Sequence, residues 1–254
     1  MAQSVEQERI KQKFIAARGY WRPWTDAILK LHPDFLERYA DYAGQPARKG
    51  PLSPRMVELV YVALDASSAH MYGPGLSTHL KGALNTGATP SDVLDVLHLV
   101  AMQGLEAVFA STAILGQELD SQLPGERRSA GIPAGEAFKA AYPVAASSIE
   151  YLAQFDAEYA QVVTDFMQFG GTGKGLSANE RLLVQIALNA CFTAFNPEAV
   201  RLHIRAALNT GISASEILQV IQLGAHLSVH GTALGAVSLN EIIESVEEKS
   251  HESQ

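Results

Sequence analysis

Apolar residues recur at intervals of three and four along most of the 254-residue chain, and no segment alternates at period two. Leu76, Leu80, Ala83 and Leu84 share one helical face in and around STHLKGALNTG (77–87). Val200, Ile204, Ala207 and Leu208 do the same around RLHIRAALNTG (201–211). The punctuation fits helices as well. Ser53 precedes Pro54 as an N-cap precedes a first-turn proline, and Ser177 with Glu180 forms a capping box. Each Asn-Thr-Gly then supplies a glycine able to close the helix in left-handed geometry, and TPSD (89–92) and SASE (213–216) open the next one. Two more helical patterns, DAILKLHPDFLERYADY and SSIEYLAQFDAEYAQVVTDF, lie upstream of these segments, the first interrupted at Pro33. The pattern predicts an all-α protein.

The two stretches lie 124 positions apart, close to half the chain. At that offset about nineteen positions between Leu52 and Leu115 are identical without a gap. The expected organisation is two tandem helical units, 1–124 and 125–254. The Pro- and Gly-rich LPGERRSAGIPAGEA (123–137) should join them, and EEKSHESQ should fray at the end.

Composition narrows the possible roles. With 47% hydrophobic and 18% charged residues the chain should fold, and its net charge of −8 offers no footprint for nucleic acid or for an anionic membrane. No apolar run reaches the roughly 18 residues of a membrane span, and the polar N-terminus has no signal-peptide core. A single cysteine fits a reducing compartment, so the expected location is the cytoplasm.

Few residues stand out chemically. Glu58 sits among apolar neighbours in MVELVYVAL, where a carboxylate must either find a cation or act as an acid or base; the second copy has Leu182 there, so the fold does not require it. His79 lies on the apolar stripe of its helix and has His203 as its counterpart. Glu58 and His79 are expected to share a pocket as catalytic residues, with His70 reaching the same cavity. His226 and His230 in GAHLSVHG are four apart, but without the glutamate of HExxH they suit a pocket lining better than a metal; their first-copy counterparts are Met102 and Glu106. His203, Glu106, His226 and His230 are therefore candidate pocket residues, and no metal is expected. GGTGKGLS lacks the Ser or Thr of a phosphate loop, no GxSxG elbow is present, and Cys191 reads as a small core residue. YWRPW (20–24) reads as core packing or a subunit contact.

VELVYVAL followed by THLKGALNTGATPSDVLDVL resembles the carboxymuconolactone decarboxylase and alkyl hydroperoxidase D superfamily, in both 52–116 and 176–240. Glu58, His79 and Gly104 fall on the family's Glu, His and late glycine. In the second copy His203 matches, while Leu182 and Ser228 depart. The peroxidase branch carries Cys-x-x-Cys ending four residues before that histidine; here those positions are Tyr72 and Gly75, or Asn196 and Ala199. The resemblance implies two units packed as a pseudo-two-fold pair, in a homo-oligomer for which a trimer of tandem chains is plausible. It also implies a cofactor-independent lyase or isomerase acting on a small unsaturated carboxylic acid or lactone, with one active and one supporting half. Two alternatives follow from the same resemblance. One is a thiol-dependent hydroperoxidase of the peroxiredoxin type, disfavoured because one cysteine cannot form a pair within the chain. The other is a non-catalytic binding or scaffold protein.

Overall fold

A computed structural model of the chain describes residues 4–122, 135–146, 148–169 and 174–252. Every regular element among them is helical, as the periodicity predicts. The chain divides into two compact units that cut across the sequence repeat: Met1–Pro51 with Ala225–Gln254, and Leu52–Gly224.

The first unit holds α1 (Val5–Arg18), α2 (Pro23–Leu31), α3 (Pro33–Lys49), a 3-10 turn (His226–Ser228) and a long last helix, Val229–Glu252. Pro33 does break the helical pattern upstream of the first repeat, with α2 ending two residues before it. Phe14 is fully buried and touches the rings of Tyr20, Trp21, Trp24 and Tyr39, so YWRPW supplies core packing here. The last helix continues to Glu252, beyond the point where fraying was expected.

The second unit carries Glu58, His70, His79, Glu106 and His203, and the first carries His226 and His230. The first repeat contributes α4 (Pro54–Ala66), α5 (Gly73–Asn85), α6 (Pro90–Ala101) and α7 (Gln103–Gln122). Four helices follow: α8 (Glu136–Ala141), α9 (Pro143–Ala146), α10 (Ile149–Phe155) and α11 (Ala157–Phe169). The second repeat then supplies α12 (Ala178–Ala190), α13 (Pro197–Asn209) and α14 (Ala214–Ala225). Most of the joining segment lies outside the described residues, and its last part already begins α8. The terminal helix is α15.

The predicted caps are in place. Ser53 and Ser177 accept from the backbone N–H three residues on, and Gly87 and Gly211 sit at φ 96° and 87°. Only glycine takes that backbone cheaply, and in both repeats the next N–H reaches back to close the helix, Ala88 to Ala83 and Ile212 to Ala207.

The two repeats share one core, in which α4 packs on α12. Equivalent positions exchange equivalent hydrogen bonds. Leu52 N–H donates to Gln219 Oε1 at 2.7 Å, and Leu176 N–H to Asp95 Oδ2 at 3.0 Å, each residue 124 from its counterpart. Gly175 belongs to this seam, since a Cβ on it would fall 2.5 Å from Asp95 Oδ2. Ion pairs seal the same layer. Arg55 reaches Asp92 at 2.7 Å and also Glu180, and Arg181 reaches Asp95 at 3.2 Å. Burial would raise the Asp92 carboxyl, but the Thr89 backbone N–H, Arg55 and the Thr89 hydroxyl together hold it below its ordinary value. Although no apolar run of spanning length stands out in the sequence, α6 and α7 run on so directly that Pro90–Gln122 meets the length and apolar composition of a membrane span. These two buried aspartate–arginine pairs tie its first half into the helical core.

Candidate active site

α4 and α5 pack side by side, and their facing residues form the site. Glu58, Tyr61 and Asp65 recur on α4 at helical spacing, so all three meet α5. Nδ1 of His79 lies 2.8 Å from Oε2 of Glu58. A carboxylate can only accept, so the imidazole proton sits on Nδ1 and Nε2 is left for other work. Nε2 faces Asp65 Oδ2 at 4.0 Å, and the Tyr61 ring lies against the imidazole at 4.5 Å between centroids. The Glu58 side chain is 26% exposed and that of Asp65 only 2%, so solvent reaches the outer carboxylate and not the inner one.

Two glycines make this packing possible. A Cβ at Gly82 would lie 2.4 Å from Glu58 Oε2, and one at Gly75 would lie 2.2 Å from Asp65 Oδ2. The second repeat has Ala206 and Ala199 at those positions, opposite Leu182 and Asn189. Glu58 and Asp65 thus each have a glycine opposite them, and each of their non-acidic replacements has an alanine.

The loop from Ser67 to Tyr72 returns the chain from α4 to α5. Tyr72 N–H closes it on the Asp65 carbonyl, with Met71 in left-handed geometry at φ 49°. It brings His70 Nε2 to 3.8 Å from the other Asp65 oxygen, and burial lowers the pKa of this imidazole. His70 therefore does reach the Glu58–His79 site. Asp65 was missed in the sequence, although an aspartate two turns beyond Glu58 on an otherwise apolar helix was a visible signal.

Glu106 and His203 line a separate cavity in the same unit, described below. His226 belongs to the first unit, where its Nε2 is 3.0 Å from an Arg18 guanidinium nitrogen. Arginine only donates, so that lone pair is taken and is not offered to a metal. His226 also lies in the 3-10 turn and His230 in the first turn of α15, so the single α-helical face implied by their spacing is interrupted. Cys191 is buried and accepts a hydrogen bond from the Thr193 hydroxyl at 3.3 Å.

Residues 33–116, from α3 through most of α7, match the carboxymuconolactone decarboxylase family. The fold is similar to the crystal structure of a provisionally named γ-carboxymuconolactone decarboxylase subunit from Burkholderia xenovorans LB400. That likeness has a TM-score of 0.80 at 25% identity, over 96% of this chain and 98% of that one. No curated protein matches the chain. The Glu-bearing α4, the His-bearing α5 and the glycine-closed corner all lie inside the matched segment, so residues 33–116 match the carboxymuconolactone decarboxylase family and the chain as a whole is similar in fold to a protein named for it.

Proposed function

We propose that the protein is a cofactor-independent lyase of the carboxymuconolactone decarboxylase type, acting on a small unsaturated lactone acid at Glu58 and His79. The observation that carries this reading is the 2.8 Å contact between His79 Nδ1 and Glu58, beside the buried Asp65. In the reaction the C–C bond to the substrate carboxylate breaks. Its electron pair passes into the conjugated lactone carbonyl, and a proton that His79 Nε2 has taken up from solvent ends on carbon, leaving the imidazole protonated at Nδ1 alone. Glu58 holds the imidazolium that supplies the proton and fixes its orientation. The hydroperoxidase chemistry of the wider superfamily needs a dithiol, and the chain has one cysteine, buried at position 191.

The test is release of carbon dioxide from γ-carboxymuconolactone. Glu58→Gln and His79→Ala should each lower kcat/KM by about 10²–10⁴-fold, and Cys191→Ser should leave it unchanged. Turnover indifferent to the first two variants would sink the assignment. Peroxide reduction abolished by Cys191→Ser would support the thiol reading in its place.

A homo-oligomer belongs to the same proposal. Leu84 and Leu94 are more than half exposed, as are their counterparts Leu208 and Leu218, so each repeat presents the same apolar pair. Light scattering that reports a monomer at micromolar concentration would count against it.

A further inference from the structure

The cavity in the second unit is bounded by α6, α7, α9, α11, α12 and α13 and has a volume of about 30 Å³, room for one or two water-sized species. Its walls are mostly apolar, among them Met102, Phe109 and Leu188, with Glu106, Gln185, Asn189 and His203 as polar members. Glu106 comes from the first repeat, and the other three from the second.

Both Glu106 oxygens accept from amides. Asn189 Nδ2 donates to Oε1 at 2.9 Å and Asn196 Nδ2 to Oε2 at 3.0 Å. Neither amide can be turned round. Asn189 Nδ2 also donates to the Gln185 carbonyl, while Asn196 Oδ1 accepts the Ala199 N–H as the N-cap of α13. Burial raises the Glu106 carboxyl above its ordinary value, and the two amides pull it back only in part. By contrast, Asp92 and Glu180 meet Arg55, Asp95 meets Arg181, and Glu58 and Asp65 meet His79. Glu106 has only neutral partners among the described residues.

Two further polar groups on the wall are unsatisfied. Gln185, 8% exposed, has a buried Oε1 without a hydrogen bond, and His203, 2% exposed, has a buried Nδ1 in the same condition. The reason for the second is visible in the repeat: His79 Nδ1 has Glu58 to bond, whereas the counterpart of Glu58 is Leu182. Burial drives His203 down to about 4, a contact with the Ala199 backbone offsetting part of the effect, so the imidazole is neutral near pH 7 and supplies no counter-charge.

We infer that this cavity is a binding site for one small hydrogen-bond-donating cation of ammonium size, held by Glu106 and Gln185 Oε1 beside the neutral His203. A buried carboxylate is costly without a positive partner, and an orphaned amide oxygen is costly without a donor; an ammonium ion supplies both. The volume excludes the lactone acid proposed for the first site, so the second repeat is not a spare copy of the first. This inference does not depend on the lyase reading.

The probe is ¹⁵N-labelled ammonium chloride, with sodium chloride and tetramethylammonium chloride at equal ionic strength as controls. Ammonium should raise Tm saturably, by about 5 °C at a hundredfold excess over Kd, and give a bound ¹⁵N resonance distinct from the free ion. Neither control should act at the same concentration. Glu106→Gln should remove both effects. Gln185→Met, a close match in shape, should weaken binding about tenfold, with circular dichroism confirming the fold of each variant. An equal response to sodium, binding unchanged in both variants, or tight uptake of zinc in place of ammonium would each overturn the assignment.

Discussion

Replacing Gly82 by alanine separates the Glu58–His79 geometry from the fold. The added Cβ would stand 2.4 Å from Oε2 and 2.6 Å from Cδ of Glu58, closer than any real contact allows, so one group must move. Glu58 is the end of a flexible side chain with 26% of its surface already in solvent, so it swings outward and α4 stays in place. That movement breaks the 2.8 Å bond to His79. A charge-assisted hydrogen bond contributes about 1.5–3 kcal/mol, and its partial exposure puts this one near the lower figure. Alanine in a helix interior returns up to about 1 kcal/mol over glycine. The two nearly cancel, so stability should change by no more than about 1 kcal/mol, or about 2 °C in Tm for a chain of this length. Activity has no such compensation. With the imidazole no longer oriented, kcat/KM for the proposed lactone decarboxylation should fall by about 100-fold, and the hydrogen-bonded Nδ1 proton of His79 should vanish from the downfield NMR spectrum. The second repeat already carries the alanine form of this pair, Ala206 opposite Leu182. Full activity with an intact Nδ1 resonance in Gly82→Ala would refute the cradle. So would a loss of stability beyond about 3 kcal/mol, since the strain would then have gone into the backbone.

Two further outcomes follow from the second unit. His203 is held at about 4 in the fold against about 6.5 unfolded, so on acidification the unfolded chain takes up this proton first. Its contribution is complete above pH 6.5 and is lost as the pH falls towards 4, by about 3 kcal/mol at the limit. Glu106, whose carboxyl is raised in the fold, runs the other way and loses stability as the pH rises above about 4.5. Urea denaturation at pH 4.5 and pH 7 should therefore show a smaller difference for His203→Leu than for the parent chain; an equal difference would place the titration elsewhere. Arg55→Ala leaves the buried Asp92 carboxylate without its cation and should cost about 3 kcal/mol, a fall of about 6 °C in Tm. Adding Asp92→Asn should recover part of that loss, and a double variant as unstable as the sum of the singles would show that the pair is not coupled.

The sequence by itself determined the helices, their ends and the duplication, because these depend on neighbours along the chain. A serine three residues before a backbone N–H, or a glycine that must take positive φ, acts within one turn. The pairing of Glu58 with His79 was also legible, since the difference between the repeats marked Glu58 as dispensable for folding. What tertiary packing decided was which groups meet across helices. Asp65 gained its place because Gly75 lets α4 and α5 approach, and Glu106 of the first repeat ended among Asn189, Asn196 and His203 of the second. The two repeats also did not become two separate bodies. α4 and α12 bury their apolar faces against each other, so Leu52–Gly224 forms one unit while α15 joins the N-terminal helices in the other. No local pattern could have assigned those partners, because an apolar stripe says that a face is buried and not against what.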